Sequence, residues 1–504
     1  MPTPRAVDLG SRRELFADEY LIASMAGGAR LLLHQPVRRE VVFTTDAPWE
    51  GNACGYPSIV HTDDGYRIYH HGLHYCDGGP ATLARRDHPQ YLCCLESKDG
   101  LHWHRADVGL FEFEGSRANN IVLAPEAVAE VGGDPAHTAV FRDTNPDCPP
   151  EEQYKVVMLG NEPFGLYLLG SPDGYGFSLL STTPAVTRGT FDSQNLMFWD
   201  PVCQAYREYH RDFRDGLRDI MTATSSDPLH FPEPQWLEYP GMPVEQLYTN
   251  QVAPYYRAPH LLMGFPARYV EREWADPLYA LPGLDARLAR ARAETRFGAA
   301  VTDTVFMVSR DGLAFRRYGE AFIRPGPQRR GSWVYGDNYT FWGMIETPAA
   351  TEDAPPEISF YSSDHYWEGT CSNVRRYSLR LDGFVSANAP LSGGEIVTRP
   401  LTFAGGNLSL SLETSAAGGV QVEVQDAEGR AIEGYGLADC PAIFGDSLEH
   451  VVRWRGGGGD LRPLAGRPVR LRFVLHDADV YSFQFVPYAP DPALPDLSGI
   501  RLDS

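Results

Sequence analysis

Side chains that could do chemistry are concentrated in five short polar stretches that lie far apart in the sequence. The stretches share carboxylates, amides and aromatic rings, and they contain Asp46, Glu50 and Asn52; Asp143 and Asn145; Asp192 and Asn195; Tyr248 and Asn250; and Asp337 and Asn338. Carboxylates can act as acids, bases or nucleophiles, amides can bind hydroxyl groups, and rings can stack on the apolar face of a ligand. These groups can act together only if the fold gathers the five stretches around one point.

A recurring phrase indicates how the chain could gather them. The pattern Ser-x-Asp-Gly-x-x-aromatic occurs, with variations, at residues 97–103, 171–177, 225–231 and 309–315, and a degenerate copy covers residues 379–384. Asp-Gly favours a tight hairpin turn, because Asp can hydrogen-bond its own backbone and Gly accepts a positive φ. The turn aspartates are 74, 54, 84 and 71 residues apart, as expected if each four-stranded blade of a β-propeller carries one such hairpin. The repeat therefore predicts five blades.

A five-bladed propeller would bring the polar stretches together. The first strand of each blade lines the central channel, so we expect the stretch that opens each blade to face one end of that channel. A mouth lined by carboxylates, amides and rings is well suited to glycoside chemistry.

The texture of the chain changes near residue 392. Apolar and polar residues alternate cleanly at 408–412 and 469–474, between Gly-rich turns, which is typical of an antiparallel β-sandwich. We therefore predict an all-β protein in three parts: an N-terminal segment at 1–45 that packs on the propeller or the sandwich, a catalytic propeller at 46–390, and a C-terminal β-sandwich at 391–504. One segment, 282–294, departs from the strand pattern, because Leu284 and Leu288 at i, i+4 predict a helix inserted in blade four. We interpret it as a surface helix on a long loop, with a lid over the mouth as the alternative.

Composition narrows the choice of partners. The formal net charge of −22 disfavours nucleic acid, and no stretch has the apolar length of a membrane span or a signal peptide. The eight cysteines form no CxxC pair, and His70 and His71 point to opposite faces of a strand, so we predict neither a metal site nor a cofactor. We expect a cytoplasmic protein that acts on a neutral carbohydrate, with homo-oligomerisation through the sandwich left open.

The predicted organisation resembles the glycoside hydrolases of families 32, 43 and 68, and most closely bacterial family-32-like proteins with a C-terminal β-sandwich. The resembling stretches are 46–50, 141–146, 191–195 and 336–338, within an architectural likeness over roughly residues 10–490. The resemblance implies a nucleophile or base from blade one, for which Asp46 and Glu50 both remain candidates. It also implies that Asp143, preceded by Arg142, binds the substrate and stabilises the transition state.

The resemblance implies a general acid from a later blade, where the chain departs from the family. Family 32 has Glu followed by Cys, whereas blade three here opens with Asp192, so Asp192 is the predicted acid and Glu346 is the alternative. The predicted substrate-binding residues are Trp49, Asn52, Arg142, Asn145, Asn195, Arg214, Asp215, Tyr248, Asn250, Arg268, Asp337 and Asn338.

The favoured function is thus glycosidic-bond hydrolysis, with a furanoside such as a fructoside or arabinoside as one substrate option. A sugar phosphorylase or transglycosidase is a rival, and a phosphorylase would need basic residues such as Arg142, Arg214 and Arg268 at the mouth. A non-catalytic carbohydrate-binding propeller is the second rival.

Overall fold

The computed structural model describes residues 6–75, 86–455 and 458–490, and it divides the chain into two compact units. One unit is Gln35–Leu381, and the other joins Met1–His34 to Asp382–Ser504. The sequence predicts boundaries at 46 and 391, so the structure draws both divisions about ten residues earlier. We number strands β1–β33 and helices α1–α3 along the chain.

The unit Gln35–Leu381 is a five-bladed β-propeller, which confirms the predicted fold class. Blade one contains β6 (Ser58–His61), β7 (Tyr66–Gly72), β8 (Tyr91–Ser97), β9 (His104–Arg105) and β10 (Ile121–Leu123). Blade two contains β11 (Gly133–Arg142), β12 (Tyr154–Asn161), β13 (Phe164–Ser171) and β14 (Ser178–Leu179). Blade three contains β15 (Leu196–Asp200), β16 (Ala205–Arg214), β17 (Leu217–Ser225) and β18 (Gln235–Trp236).

Blades four and five depart from this simple order. Blade four contains β19 (Gln246–Leu247), β20 (Ala253–Tyr255), β21 (Ala258–Gly264), β22 (Ala267–Glu271), β23 (Ala300–Ser309) and β24 (Arg316–Ile323). Its first two strands are therefore each split in two. Blade five contains β25 (Ile345–Thr347), β26 (Glu357–Asp364), β27 (Asn373–Arg380) and, as its outermost strand, β5 (Val37–Thr44). Because β5 comes from the start of the unit, pairing β5 with β27 closes the ring.

The repeated Asp-Gly phrase forms the turn after the third strand in blades one to four. In three of these turns the Ser Oγ accepts the Gly N–H at 2.9 Å. The carbonyl of the same Gly accepts a bond from a buried tyrosine of the neighbouring blade: Tyr361 to Gly100 at 2.5 Å, Tyr69 to Gly174 at 2.9 Å and Tyr209 to Gly312 at 2.9 Å. These three turns are thus structural: they join blade one to blade five, blade two to blade one, and blade four to blade three.

The fifth copy of the phrase has another role than the sequence predicts. Asp382 belongs to the second unit, where Arg13 and Ser482 both donate to its carboxylate, at 3.0 and 2.8 Å. No fourth strand of blade five follows it, because β5 already occupies that edge. The chain leaves the propeller at this turn.

The predicted insertion in blade four is helical, with α1 (Asp276–Tyr279), α2 (Leu284–Ala293) and α3 (Thr295–Ala299) between β22 and β23. The buried face of α2 is not the predicted one, because Leu288 is 42% exposed whereas Arg287 and Arg290 are buried. Arg287 donates to the carbonyls of Gly298 and Trp333, and Arg290 donates to that of Tyr366. The helix is therefore held by arginine side chains that donate to backbone carbonyls outside it.

The second unit is a β-sandwich built from both ends of the chain. Its strands are β1 (Val7–Asp8), β2 (Glu14–Leu15), β3 (Ile22–Gly27), β4 (Arg30–Leu33), β28 (Val385–Ala389), β29 (Gly394–Thr398), β30 (Leu401–Thr402), β31 (Asn407–Asp426), β32 (Asp446–Val451) and β33 (Val469–Val486). Alternating apolar residues of β31 and β33 fill one core around the buried Trp454. The 3₁₀ helices of the described residues span Pro125–Val131 and Pro150–Glu152 in the propeller and Arg462–Leu464 in the sandwich. Among the described helices, none is long and apolar enough to cross a membrane.

Candidate functional site

The innermost strands of the blades define two ends of the central channel. We call the end at which β6, β11, β15 and β20 begin the front mouth, and the end at which they finish the rear mouth. The rear mouth holds a cavity of about 480 Å³ whose lining is largely apolar and includes His61, Phe141, Trp199, Tyr256 and Trp342.

At the front mouth, side chains from all five blades converge. We call this set the axial cluster, and it consists of Tyr56, His137, Gln194, Tyr248, Gln251 and Tyr339. Gln251 donates to Gln194 at 2.5 Å, and Gln194 donates to the carbonyl of Tyr56 at 2.9 Å. The ring of Tyr56 lies 6.1 Å from that of Tyr339 and 5.7 Å from that of His137, and Tyr339 lies 5.5 Å from Tyr248. Contacts between blades that are not neighbours in the ring are possible only at the propeller axis.

Two arginines of blade three flank the axial cluster. Arg211 on β16 and Arg218 on β17 lie with their Cζ atoms 4.9 and 5.4 Å from the ring centroid of Tyr248. They share a face because Arg218 pairs across the hairpin with Phe213, two residues from Arg211. Arg211 is 2% exposed and forms an ion pair with Asp192, whose side chain is 60% exposed. Asp192 is therefore the carboxylate at the opening of the front mouth.

A carboxylate–imidazole pair from blade two also belongs to the front mouth. The Nδ1 atom of His137 lies 2.7 Å from Oδ2 of Asp134. Burial alone would raise the pKa of Asp134, but the hydrogen bond and charge of His137 outweigh burial and lower it. An ionised Asp134 fixes the orientation of the imidazole and leaves Nε2 for a ligand, which is the arrangement of a general acid–base group.

His71 lies beside this pair and stays neutral. Its ring is 5.5 Å from that of Tyr56 and 6.5 Å from that of His137. Burial, reinforced by the neighbouring His137, lowers its pKa well below the usual range for histidine. A neutral His71 can donate or accept a hydrogen bond without placing a charge in the cluster.

The front mouth is rich in buried polar atoms that have no hydrogen-bond partner among the described residues. They are His71 Nε2, Ser193 Oγ, Asn195 Oδ1, Arg211 Nε, Arg218 Nε, Gln251 Oε1 and Tyr339 Oη. Buried polar groups of folded proteins are almost always paired, and leaving one unpaired costs about 1–3 kcal/mol. Such a concentration at one point is expected where a ligand with several hydroxyl groups binds.

Six of the predicted site residues lie at the front mouth. They are Asp192, Asn195, Tyr248, Asn250, Asp337 and Asn338. Tyr248 accepts a hydrogen bond from Tyr335 at 2.7 Å, and Asn338 donates to the carbonyl of Thr302 at 3.2 Å. Asp337 is fully buried and accepts the Tyr366 N–H at 3.0 Å. Burial and the nearby Asp364 raise its pKa well above the usual range.

The blade-one candidates form a separate group. Glu50 is buried and is contacted by Arg105 at 2.6 and 3.2 Å, by His70 at 3.4 Å and by Asn120 at 3.4 Å. Burial would raise its pKa, but His70 and Arg105 lower it. Asp46 is exposed and shares Arg105 with Glu50, at 2.6 Å.

The remaining blade-one residues brace this region. Trp49 donates to Asn120 at 2.6 Å. Asn52 donates to the carbonyls of Tyr75 and Gly369, at 3.0 and 2.8 Å. These bonds occupy the polar groups of both side chains, so Trp49 and Asn52 have a structural role.

The predicted blade-two residues lie at the rear mouth. The first strand of blade two is β11, which ends at Arg142, so Asp143 follows that strand instead of opening it. Arg142 pairs with Asp63 at 2.8 Å. Asp143 is buried in an ion pair with Lys155 at 2.8 Å, and Tyr206 donates to it at 2.8 Å. Asn145 donates to the same tyrosine at 3.0 Å. The structure therefore does not bring Asp143 together with Asp192.

Four further residues lie away from the axis. Arg214 is the last residue of β16, and Asp215 lies in the exposed turn that follows it; Arg214 lies 3.6 Å from Asp219. Arg268 is neutralised by Glu245 at 3.0 Å and Asp303 at 2.7 Å. Glu346 accepts from Tyr256 at 2.6 Å, near the rear mouth.

Sequence reasoning missed His137, Asp134, Arg211 and Arg218. The two arginines lie at the ends of the charge-dense segment 211–218, which also contains the predicted residues Arg214 and Asp215. An Asp-Gly turn at 215–216 would have placed Arg211, Phe213 and Arg218 on one face of the hairpin and Arg214 on the other. The pair Asp134–His137 was missed because the strand that begins there was not recognised as the first of its blade.

No metal centre emerges from this geometry. Within residues 6–75, 86–455 and 458–490, no group of three or more His, Cys, Asp or Glu side chains is arranged to hold a metal ion. His70 contacts Glu50, and His74 lies 2.5 Å from Asp87, so each of these two histidines contacts a different carboxylate.

Comparison with known proteins gives resemblance at the level of solved structures only. No protein-family model and no curated protein matches the chain. One similar structure is an N-acetylgalactosamine deacetylase from F. plautii in complex with blood group B trisaccharide, with a TM-score of 0.42, 9% identity, and coverage of 69% of this chain and 96% of that one. A second is RS223 β-xylosidase, with a TM-score of 0.39, 12% identity, and coverage of 69% and 97%. A third is an endo-arabinase from Bacteroides thetaiotaomicron, with a TM-score of 0.37, 11% identity, and coverage of 68% and 98%. At these identities and scores the likeness says nothing about substrate or mechanism.

Proposed function

We propose that this protein is a glycoside hydrolase whose active site is the front mouth of the propeller. One observation carries the proposal: residues of five blades meet there around an exposed carboxylate, Asp192, and an oriented imidazole, His137. Aromatic rings for the face of a sugar and unpaired amides and hydroxyls for its hydroxyl groups surround them.

The chemistry assigns His137 the proton transfer. With Nδ1 held by Asp134, the protonated Nε2 donates to the glycosidic oxygen as the bond to the anomeric carbon breaks. The electron pair of that bond stays on the leaving oxygen, and positive charge develops on the sugar ring.

Asp192 takes the role of nucleophile or base. An ion-paired carboxylate suits a nucleophile or base better than a proton donor, so this assignment replaces the general-acid role that the sequence predicts. Asp192 either attacks the anomeric carbon or accepts a proton from the water that does so, and the anomer of the first product distinguishes the two routes.

The test uses a panel of 4-nitrophenyl furanosides and pyranosides together with oligosaccharides. We expect Asp192→Asn and His137→Gln each to lower kcat/KM by about 10²–10⁴-fold, the usual contribution of an acid–base group. The matched control is Asp215→Asn, in the exposed turn of the same blade, which should keep wild-type activity.

Three results would contradict the proposal. The first is full activity of both active-site variants, and the second is a folded wild-type protein that cleaves nothing on the panel. The third is sugar release that requires inorganic phosphate, which would favour the phosphorylase reading.

A further inference from the structure

We infer that the sugar bound at the front mouth carries an anionic group, a ring carboxylate or a sulfate ester, and that Arg211 and Arg218 bind this group. The inference deepens the proposed function, because it names the substrate class of the same site. It replaces the neutral substrate that the overall charge predicts.

The first argument is the environment of Arg218. The residue is 8% exposed, and its guanidinium lies against the rings of Tyr269, Tyr248 and Phe213 at 4.4, 5.4 and 5.4 Å. The one hydrogen bond that its side chain makes among the described residues goes to the neutral amide oxygen of Gln246, at 2.6 Å, and its Nε has no partner there. An arginine is always charged, and burial of a charge without a counter-ion is costly.

The second argument is the charge balance around Tyr248. Arg211 and Arg218 both stack on this ring, and among the described residues only Asp192 forms an ion pair with either of them. Arg211 also keeps an unpartnered Nε. The protein has a net charge of −22, yet this point carries one positive charge in excess. A bound anion would restore the balance, and the planar guanidinium suits carboxylate or sulfate oxygens.

The third argument is access. Phe213 is 43% exposed and lies 5.3 Å from Arg211 and 5.4 Å from Arg218. Its ring therefore offers a stacking surface directly beside the two cations.

A purely structural role for Arg218 makes a different prediction. If the residue only braces the aromatic rings, replacing it should destabilise the ligand-free protein. If Arg218 instead binds an anionic ligand, Arg218→Met should leave the melting temperature of the ligand-free protein unchanged or raise it. The reason is that an apolar side chain of similar volume removes an uncompensated buried charge.

The experiment measures binding by the full chain, independently of turnover. Isothermal titration compares glucuronate and galacturonate with glucose and galactose, and includes galactose 6-sulfate and inorganic sulfate. We expect the wild-type protein to bind an acidic or sulfated sugar about 10–100-fold more tightly than the neutral sugar, and Arg218→Met to remove this preference. The matched control Arg214→Met, at the exposed end of the same hairpin, should bind like the wild type.

Each outcome decides a different point. Preference for the uronates or for the sulfated sugar identifies the anionic group. Equal affinity for neutral and acidic sugars, no binding of acidic sugars at millimolar concentration, or inorganic sulfate binding as tightly as the sulfated sugar would overturn the inference. Hydrolysis of neutral glycosides without a preference for anionic sugars would overturn the inference and leave the proposed function standing. Tight binding of an acidic sugar without hydrolysis of its glycosides would support the inference and contradict the proposed function.

Discussion

Replacing Glu50 with Gln separates a structural role from a catalytic one for the carboxylate that the sequence places among the catalytic candidates. The buried carboxylate accepts from Arg105 at 2.6 Å and contacts His70 at 3.4 Å. The amide of Gln keeps the volume but removes the charge that both partners face. Removing one member of a buried ion pair costs about 3–5 kcal/mol. Because Arg105 keeps its bond to Asp46, we take the lower value, about 3 kcal/mol.

This energy converts into a measurable shift in melting temperature. Unfolding entropy of about 2.1 cal/mol/K per residue, over the roughly 350 residues of Gln35–Leu381, gives about 0.7 kcal/mol/K. The expected loss for Glu50→Gln is therefore about 4 °C by scanning calorimetry. The control is Asp46→Asn, which removes the exposed carboxylate on the same arginine and should cost less than about 1 kcal/mol.

The pH dependence adds a second readout. Burial lowers the pKa of His70, but Cys54 and Glu50 outweigh it and raise it to about 10. Stability from a raised histidine is complete below about pH 6.5 and is lost as the pH rises toward 10. The lowered pKa of Glu50 contributes stability above about pH 4.5. The difference between wild type and Glu50→Gln should thus be largest between about pH 5 and 6.5. A variant with wild-type melting temperature but no turnover would refute the structural role.

Two further predictions concern Asp337 and the Asp-Gly turns. Because the pKa of Asp337 is raised, the folded protein loses stability as the pH rises above about 4, so Asp337→Asn should match or exceed the wild-type melting temperature at pH 8. Burial would raise the pKa of Asp364, but Arg375 and Arg329 outweigh burial and lower it, so Asp364→Asn should be less stable than the wild type at pH 8. Equal effects of the two variants in calorimetry would contradict this. Gly174→Ala should lower the free energy of unfolding in urea by about 1–3 kcal/mol, because Gly174 has φ +81° and its new Cβ would lie 2.6 Å from the hydroxyl of Tyr69. The control is Gly176→Ala, whose Cβ would meet nothing within 4 Å and which should change the stability little. Equal stability of these two alanine variants would show that the turn does not join the blades.

The fold could be predicted because the Ser-x-Asp turn, with Gly or Pro after the Asp, is visible in the sequence of every blade that ends in a hairpin. The site could be predicted only where the polar stretch really opens a blade, as at Asp192–Asn195. In blade two the first strand is β11 (Gly133–Arg142), so the predicted residues Arg142 and Asp143 emerge at the rear mouth, where this strand ends. The partners of Glu50 are 20 to 70 residues away in the sequence, at His70, Arg105 and Asn120, and no local pattern reveals them.

The closure of blade five by β5 has a consequence for biosynthesis. The strand Val37–Thr44 leaves the ribosome before any of the five blades, yet its partner β27 is complete only at Arg380. The strands β1–β4 remain unpaired still longer, because their partner strands among β28–β33 are translated after the whole propeller. Both edges remain open while more than three hundred residues are translated, and open strand edges favour wrong pairing. Neither unit can be released by a single cut in the chain, so a truncation series should yield stable protein only when both ends are retained.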